Sequence, residues 1–265
     1  MNNLIPKKIH YVWVGGKEKP ELVKKCIDSW KKYCPDYEIV EWNDDVLQQI
    51  DNLYVKQAYE NKKWAFVSDY VRLWVLYHFG GFYCDTDLEI TNSIESFRKH
   101  KMIIGFEIWN GEVSPLTALI GSEKGNKIIK AWLELYDDIP FIKNGEMDET
   151  TNVVRVSRWL QEVYDFKKPY DGTRLTKLRE DVLIFPYWFF CTSENDKENY
   201  AIHHFNGSWL DPYVRKCKLS LGKYKLVRFR KRAKIKGDTL PILNNEIKIC
   251  QFSFWGIKWC VLKST

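Results

Sequence analysis

The 265-residue sequence has no pairing pattern among its cysteines and no long apolar run. Its seven cysteines are odd in number and no two have CxxC spacing, which argues against a disulfide framework and against a zinc cluster. The N-terminal segment MNNLIPKKIHYVWVGG has no long apolar core, so we expect no secretory signal peptide. No run of about 18 apolar residues occurs, so we expect no transmembrane helix. Together these absences favour a cytoplasmic protein.

Internal repeats and low-complexity linkers are also absent, and the composition is that of a folded domain, with 45% apolar and 29% charged residues. The charge is unevenly distributed. Residues 214–265 contain 14 Lys/Arg and 2 Asp/Glu, whereas the rest of the chain has a net charge of −6. We therefore predict a catalytic domain over residues 1–213 and a basic, aromatic extension over 214–265 that meets an anionic surface, either a membrane or the acceptor. An ordinary basic element packed on the body remains the alternative.

The order of apolar patterns predicts an α/β fold. A strand at 9–14, an amphipathic helix with Leu22, Cys26 and Trp30 on one face, and a strand at 37–42 form a βαβ unit, which is typical of a parallel sheet. Further strands are predicted at 82–90, 102–108, 181–190 and 200–209. Further helices are predicted at 43–63, from near Ser68 to Phe79, from about Asn126, and at 149–164.

The segment GGFYCDTDLEI places two aspartates, Asp85 and Asp87, at the end of an apolar strand. Alternate residues of a continuous strand point the same way, so the two carboxylates would share a face. Carboxylates at this spacing suit Mg²⁺ or Mn²⁺, and ligands of α/β sheets bind beyond the carboxyl ends of the strands. A short DxD motif also occurs by chance in many loops.

Two further groups of polar residues accompany the aspartates. Asp69 and Arg72 lie three residues apart on an otherwise apolar helix, where a charge needs a partner. The pair His203 and His204 lies in a predicted strand, so at most one of them faces the site. That imidazole either completes a metal shell or is an ordinary core histidine bonded to backbone.

The ordered blocks IPKKIHYVWVGG, AFVSDYVRLWVLYHFGGFYCDTDLEI, FEIWNGEVSPLTALIGSEKGN, ETTNVVRVSRWL and YAIHHFNGSWL resemble the bacterial capsular-polysaccharide branch of glycosyltransferase family 32 over residues 4–211. More distantly, they are similar to the glucosyltransferase domains of large glucosylating bacterial toxins. The resemblance implies a GT-A fold, with a Rossmann-like mixed sheet flanked by helices. It also implies a nucleotide-sugar donor, a divalent cation (Mn²⁺ or Mg²⁺) and transfer that retains the anomeric configuration.

The resemblance also implies roles for individual residues. Asp85, Asp87 and Arg72 are the expected catalytic residues, and Asp87, Asp85 and His204 the expected metal ligands. The toxin relatives carry a carboxylate near the position of His204, which leaves its role as a direct ligand open. The substrate-binding residues that it implies are Trp13, Ser68, Asp69, Arg72, Tyr83, Asp85, Asn206, Ser208 and Trp209. Further candidates for the sugar pocket are Glu107 and Asn152, with Glu149 as an alternative to Asn152.

The sequence thus predicts an enzyme, a hexosyltransferase that moves a hexose from a nucleotide-sugar, preferably UDP-linked, to a glycan acceptor. The resemblance to capsule enzymes points to a lipid-linked acceptor, peripheral membrane contact and the inner face of the plasma membrane, with no nucleic-acid partner. Three alternatives stay open. They are a nucleic-acid-binding module that uses the basic extension, an enzyme that glycosylates protein, and a homologue that binds nucleotide-sugar without turning it over.

Overall fold

The structure is a computed structural model, and it describes residues 4–179, 182–207, 213–231, 240–243 and 245–265. Its strands are β1 (Lys8–Val12), β2 (Glu38–Trp42), β3 (Gly81–Cys84), β4 (Leu88–Ile90), β5 (Met102–Trp109), β6 (Glu112–Ser122), β7 (Ile142–Lys143), β8 (Glu146–Met147), β9 (Thr176–Lys177), β10 (Val182–Phe185), β11 (Ala201–His203), β12 (Tyr213–Leu221), β13 (Tyr224–Lys231), β14 (Glu246–Phe254) and β15 (Ile257–Ser264). Its α-helices are α1 (Glu21–Tyr33), α2 (Leu53–Glu60), α3 (Trp64–Phe79), α4 (Lys127–Glu134), α5 (Asn152–Tyr164) and α6 (Tyr187–Phe190).

The described residues form two compact units. The first falls within Met1–Asn52, Phe66–Asp137 and Thr150–Asn206, and the second within Leu53–Ala65, Asp138–Glu149 and Gly207–Thr265. None of the helices in the described part of the chain combines the length and the apolar character that a bilayer crossing requires.

The first unit contains a seven-stranded sheet in the order β2-β1-β3-β6-β5-β10-β9. Strands β1, β2 and β3 run parallel, as do β5 and β10, whereas β6 and β9 run antiparallel to their neighbours. The predicted βαβ unit is present, because α1 connects the parallel pair β1 and β2. The predicted α/β class, with a mixed sheet flanked by helices, is therefore confirmed.

Helix α1 packs on this sheet through the apolar stripe expected from its sequence. Its buried side chains Val23, Cys26 and Trp30 share a core with Phe82 and Leu119 of the sheet. Two helices that follow β5 and β6 in the chain also contact the sheet, since α5 lies against β6 and α6 lies against β5. The sheet is thus covered by helices whose apolar faces match their periodicity.

Helix α3 begins at Trp64, four residues before the predicted start near Ser68, and ends at Phe79 as expected. The next two residues, Gly80 and Gly81, have φ angles of +64° and +105°. A Cβ at Gly80 would lie 2.6 Å from the backbone nitrogen of Lys124, so glycine is required here on both counts. This tight turn sends the chain directly from α3 into β3.

Three strand predictions need correction. The predicted strand at 181–190 ends at Phe185, because Tyr187–Phe190 form helix α6. The predicted strand 82–90 is interrupted, because β3 ends at Cys84 and β4 begins at Leu88, so Asp85 and Asp87 lie in a turn rather than on one strand face. Strand β6 was not predicted. It contains Pro115, which cannot donate a ladder hydrogen bond and usually argues against a strand.

The second unit contains a four-stranded antiparallel sheet in the order β12-β13-β15-β14 and a small β7-β8 pair. One face of the larger sheet carries its core, formed by the buried side chains Tyr213, Val227, Phe229, Cys260 and Leu262. The basic extension that begins at residue 214 therefore supplies regular strands.

Candidate active site

The site lies at one edge of the seven-stranded sheet. Strands β1, β3 and β5 point in the same direction, so their carboxyl ends meet at that edge. Trp13 follows β1, Asp85 follows β3, and Glu107 lies near the end of β5. This is the edge at which ligands of open α/β sheets bind.

A turn after β3 holds the two aspartates. The amide of Asp85 donates to the carbonyl of Ala118 at 2.8 Å, and the amide of Leu88 donates back to the carbonyl of Asp85 at 2.9 Å. The first bond fixes the turn to β6, and the second closes it. Both carboxylates are thereby aimed without a continuous strand.

Arg72 links the aspartate turn to helix α3. One guanidinium nitrogen lies 2.8 Å from the Asp69 carboxylate and 3.3 Å from that of Asp85. Another donates to the carbonyl of Thr117 at 2.9 Å. The Nε atom donates to the carbonyl of Ser68 at 3.2 Å. Because so many of its donors bond to protein groups, Arg72 fixes Asp85 in position.

Burial sets the electrostatics of this ion pair. Removal from water raises the pKa of Asp69 to about 6, against the attraction of Arg72, which favours the carboxylate. Burial alone would lower the pKa of Arg72, but the charges of Asp85 and Asp69 raise it above its ordinary value. The guanidinium therefore stays charged and balances two carboxylates.

Two more predicted residues join this network. The Tyr83 hydroxyl donates to Asp85 Oδ1 at 2.8 Å, and the Arg72 guanidinium carbon lies 4.7 Å from the centre of the Tyr83 ring. The backbone amide of Asn152 donates to Asp69 Oδ2 at 3.0 Å, which joins the start of α5 to α3. The structure thus brings Tyr83 and Asn152 together with Asp69, Arg72 and Asp85.

The second aspartate, Asp87, is held by residues near the C-terminal end of the first unit. The amide of Asn206 donates to Asp87 Oδ2 at 2.8 Å, and His203 Nε2 lies 3.4 Å from Asp87 Oδ1. Burial would raise the pKa of Asp87, but His203 and the Asn206 amide outweigh it and hold that pKa below its ordinary value. Burial lowers the pKa of His203, but the neighbouring Asp87 outweighs this effect. The pKa of His203 therefore lies above its ordinary value.

Asp85, Asp87 and His203 form a cluster of three metal-ligating side chains. One ligand atom from each lies within 4.8 Å of the others. The Nδ1 atom of His203 is buried and has no hydrogen-bond partner among the described residues. Two carboxylates and one imidazole form an oxygen-rich donor set that fits Mn²⁺ or Mg²⁺, and the imidazole favours the transition metal Mn²⁺.

The structure differs from the sequence-based choice of His204 as the metal-ligating histidine. His204 Nε2 lies 2.9 Å from the carboxylate of Glu89, and His203 is the histidine beside Asp87. Strand β11 pairs antiparallel with β4, which sets His203 opposite Leu88. Neighbouring residues on a strand face opposite ways, so only this register decides which histidine faces the aspartates.

Glu107 is buried near the cluster, on β5. Removal from water raises the pKa of its carboxyl group to about 7, although His203 and the hydroxyl of Ser114 favour the charged form. Ser114 Oγ donates to Glu107 Oε1 at 3.2 Å. A carboxyl group with this pKa can hold or release a proton near neutral pH.

Sequence reasoning missed an aromatic pair next to His203. The ring of Phe205 lies 4.1 Å from that of His203, and the ring of Trp109 lies 4.7 Å from that of Phe205. Trp109 is 49% exposed, which is unusual for so large an apolar ring. Its only signal in the sequence is its position at the turn Trp109-Asn110-Gly111 that ends β5.

The remaining predicted residues lie apart from these contacts or outside the described residues. The Trp13 indole donates to the carbonyl of Lys17 at 2.7 Å, beside the sheet edge. Glu149 falls in the second unit, 3.8 Å from Lys63 Nζ. Ser208 and Trp209 lie outside the residues that the structure describes.

Comparison with known proteins agrees with this site. Residues 20–104, which include both aspartates, match the family model described as a glycosyltransferase sugar-binding region containing the DXD motif. The chain is 28% identical over 118 residues to inositol phosphoceramide mannosyltransferase 3 of Schizosaccharomyces pombe. That match covers 42% of this chain and 30% of the yeast protein.

Two solved structures are also similar. PaToxG glycosyltransferase has 26% identity and a TM-score of 0.40, covering 49% of this chain and 60% of its own. A glycosyltransferase involved in the glycosylation of the major capsid of PBCV-1 has 11% identity and a TM-score of 0.38, covering 68% of this chain and 82% of its own. The family match and the yeast relative agree with the predicted resemblance to glycosyltransferases that contain a DXD motif.

Proposed function

We propose that this chain, whose residues 20–104 carry the glycosyltransferase sugar-binding region with the DXD motif, transfers a hexose from a nucleotide-sugar to a glycan acceptor. The observation that carries this proposal is the cluster of Asp85, Asp87 and His203 at the carboxyl edge of the sheet, with ligand atoms within 4.8 Å. Its position is where a phosphorylated ligand of an α/β sheet binds.

Asp85, Asp87 and His203 would hold Mn²⁺, or Mg²⁺ in its place. When bound there, the cation supplies positive charge that stabilises the departing nucleoside diphosphate. The chain's own residues prepare the ligands for this role. Arg72 and Tyr83 fix Asp85, and the Asn206 amide fixes Asp87. Ligands fixed in this way need no rearrangement during the reaction.

The proposed reaction retains the configuration of the transferred sugar, with the acceptor hydroxyl attacking from the side of the leaving group. The resemblance to retaining transferases supports this course. Glu107 is suited to bind a hydroxyl of the donor sugar, or to accept a proton, because the pKa of its buried carboxyl group is about 7. Asp69 lies further inside, where Arg72 and Asn152 hold it, and we assign it to positioning.

For the donor we favour a UDP-linked hexose. The yeast relative is named a mannosyltransferase that acts on inositol phosphoceramide, which keeps mannose among the donor sugars and supports an acceptor carried on a lipid. We therefore propose a lipid-linked glycan acceptor in capsular or other surface polysaccharide synthesis, with the protein at the inner face of the plasma membrane.

A donor-hydrolysis assay tests this function. A panel of nucleotide-sugars is incubated with the protein in EDTA, Mn²⁺ or Mg²⁺, and the released nucleoside diphosphate is measured. We expect hydrolysis of one donor, only with metal, and its loss in Asp87→Ala at an unchanged melting temperature. Hydrolysis of no donor in the panel would overturn the proposal. The metal role is wrong if Asp87→Ala keeps more than about a tenth of wild-type turnover.

A further inference from the structure

The sheet of the second unit has one buried face and one exposed face. Val227 and Phe229 on β13, and Cys260 and Leu262 on β15, are buried on the first face. Alternate residues of a strand point to opposite faces, so their neighbours along β13 and β15 lie on the second. A sheet face that is exposed to water normally carries polar side chains.

This exposed face is aromatic on β14 and β15. Phe252 and Trp259 are cross-strand partners whose parallel rings lie 6.4 Å apart, with an interplanar angle of 2°. Phe254 pairs with Ile257 next to them, and Trp255 occupies the connecting turn. Phe254 is 67% exposed and Trp255 is 86% exposed. We call Phe252, Phe254, Trp255, Ile257 and Trp259 the aromatic patch.

On β12 and β13 the same face carries basic side chains next to the aromatic patch, and exposed apolar side chains at Leu219, Leu221 and Tyr224. Arg228 is the cross-strand partner of Trp259, and Lys216 is the partner of Arg228, so the three occupy one row across the sheet. Arg230, two residues further along β13, is exposed. We call Lys216, Arg228 and Arg230 the basic row. It continues directly from the aromatic patch.

Among the described residues from 213 onward the acidic side chain is Glu246, and from β8 of the same unit Glu146 accepts from the amide of Cys217 at 3.1 Å. The Glu246 side chain is fully buried, with Arg215 at 2.8 Å and Lys225 at 3.1 Å. The exposed face therefore combines exposed apolar side chains with the positive charges of the basic row. A partner of complementary chemistry must be apolar and negatively charged.

We propose that the aromatic patch and the basic row dock on an anionic lipid surface. Tryptophan and phenylalanine settle at the boundary between headgroups and acyl chains, and basic residues near the surface add attraction to anionic headgroups. A second copy of this chain fits less well, because it would set one basic row against another. A nucleic acid fits less well too, because it would leave Ile257 and the edge of the patch without an apolar partner.

The inference of a docking surface rests on the proposed function for its purpose, because a lipid-linked acceptor would be presented at the same membrane boundary. The binding itself can be tested without any sugar chemistry. Failure of the surface and failure of the proposed function are therefore separable.

The experiment measures how much of the full chain sediments with two kinds of vesicle. One kind is pure phosphatidylcholine, and in the other phosphatidylglycerol makes up about 30% of the lipid. We expect binding to the anionic vesicles that weakens with added salt. The variant Phe254→Ser/Trp255→Ser should bind at least about tenfold more weakly. The variant Lys216→Gln/Arg230→Gln should lose about fivefold for each basic residue removed.

A matched control removes two lysines that are exposed elsewhere, Lys31 and Lys130, as Lys31→Gln/Lys130→Gln. It lowers the net charge equally and should change vesicle binding by less than about threefold, because it leaves the docking surface intact. Both surface variants should keep the wild-type melting temperature and donor hydrolysis in the absence of vesicles.

Three results would overturn the proposal that this surface docks on anionic lipid. They are equal losses in the control and the basic-row variant, a concentration-dependent dimer that Phe254→Ser/Trp255→Ser dissolves, and tighter binding to single-stranded RNA than to the anionic vesicles. If donor hydrolysis is absent but vesicle binding follows the expected order, the docking surface stands and the proposed function fails.

Discussion

The two neighbouring histidines offer a direct test of the candidate metal site. His203 Nε2 lies 3.4 Å from Asp87, whereas His204 Nε2 lies 2.9 Å from Glu89. The variants His203→Leu and His204→Leu remove one imidazole each and leave an apolar side chain that cannot bind metal. They differ in whether the last residue of β11 or the residue directly after it loses its ring.

The magnitude follows from the size of the ligand set. The cluster offers three protein ligands, so His203→Leu removes one of three. Loss of a group that merely orients a metal ligand costs about 10–100-fold in affinity, and loss of a ligand should cost at least as much. This range corresponds to about 1.4–2.7 kcal/mol of binding free energy. For His204→Leu we expect a change of less than about threefold, because Glu89 is not part of the cluster.

Calorimetric titration of metal-free protein with Mn²⁺ measures both affinities without any turnover. Melting temperatures in EDTA show that each variant is folded. The reasoning is refuted if His204→Leu weakens Mn²⁺ binding as much as His203→Leu, or if folded His203→Leu binds Mn²⁺ like the wild type. The first result would mean that His204, the residue chosen from sequence, contributes to the site as much as His203 does.

Two further predictions concern stability and the acceptor. Glu246→Gln leaves the buried Arg215 with a weaker partner and should lower the free energy of unfolding of the second unit by about 3–5 kcal/mol. Burial would raise the pKa of Glu246, but Arg215 and Lys225 hold it below its ordinary value of 4.5, so this stabilisation is present above pH 4.5 and is lost as the pH falls further. Urea unfolding at pH 7 and pH 3 checks both statements, with the exposed Glu134→Gln as control; similar midpoints for the two variants at pH 7 would contradict the first. Trp109→Ala should raise the KM for a glycan acceptor by about tenfold and leave donor hydrolysis unchanged, because an exposed ring beside the site can stack on a sugar. Steady-state kinetics with varied acceptor concentration measures this KM, and an unchanged KM would count against a stacking role for Trp109.

Much of the first unit could be predicted because its signals are local. The periodicity of α1 and the Gly80-Gly81 turn each depend on a few adjacent residues. Strand β6 could not be predicted in this way, since Pro115 argues against a strand and the sheet nevertheless accepts it opposite Phe106. Its tolerance depends on the partner strand, which no local pattern reveals.

The same distinction between local signals and tertiary pairing applies to the residues of the candidate site. Asp85, Asp87, Asp69 and Arg72 were singled out from spacing, although the turn that holds the first two was not predicted, and Arg72 joins Asp69 to Asp85 in the structure. The bond from Arg72 to the carbonyl of Thr117 depends on a register shift in β6, where Ile104 pairs with Ile120 but Gly105 pairs with Leu116. Such irregularities and the register of β11 arise from tertiary pairing, and spacing alone leaves them undetermined.

The pairing of β4 with β11 has a consequence for how the molecule acquires its metal-ligating cluster. The bond from the Asn206 amide to Asp87 joins positions 119 apart in the chain. Contacts so distant in sequence form late, after the cost in chain entropy of closing the loop has been met. A partly synthesised chain that ends before β11 would hold both aspartates but lack His203, so the proposed cation site would stay incomplete until the residues up to His203 had left the ribosome.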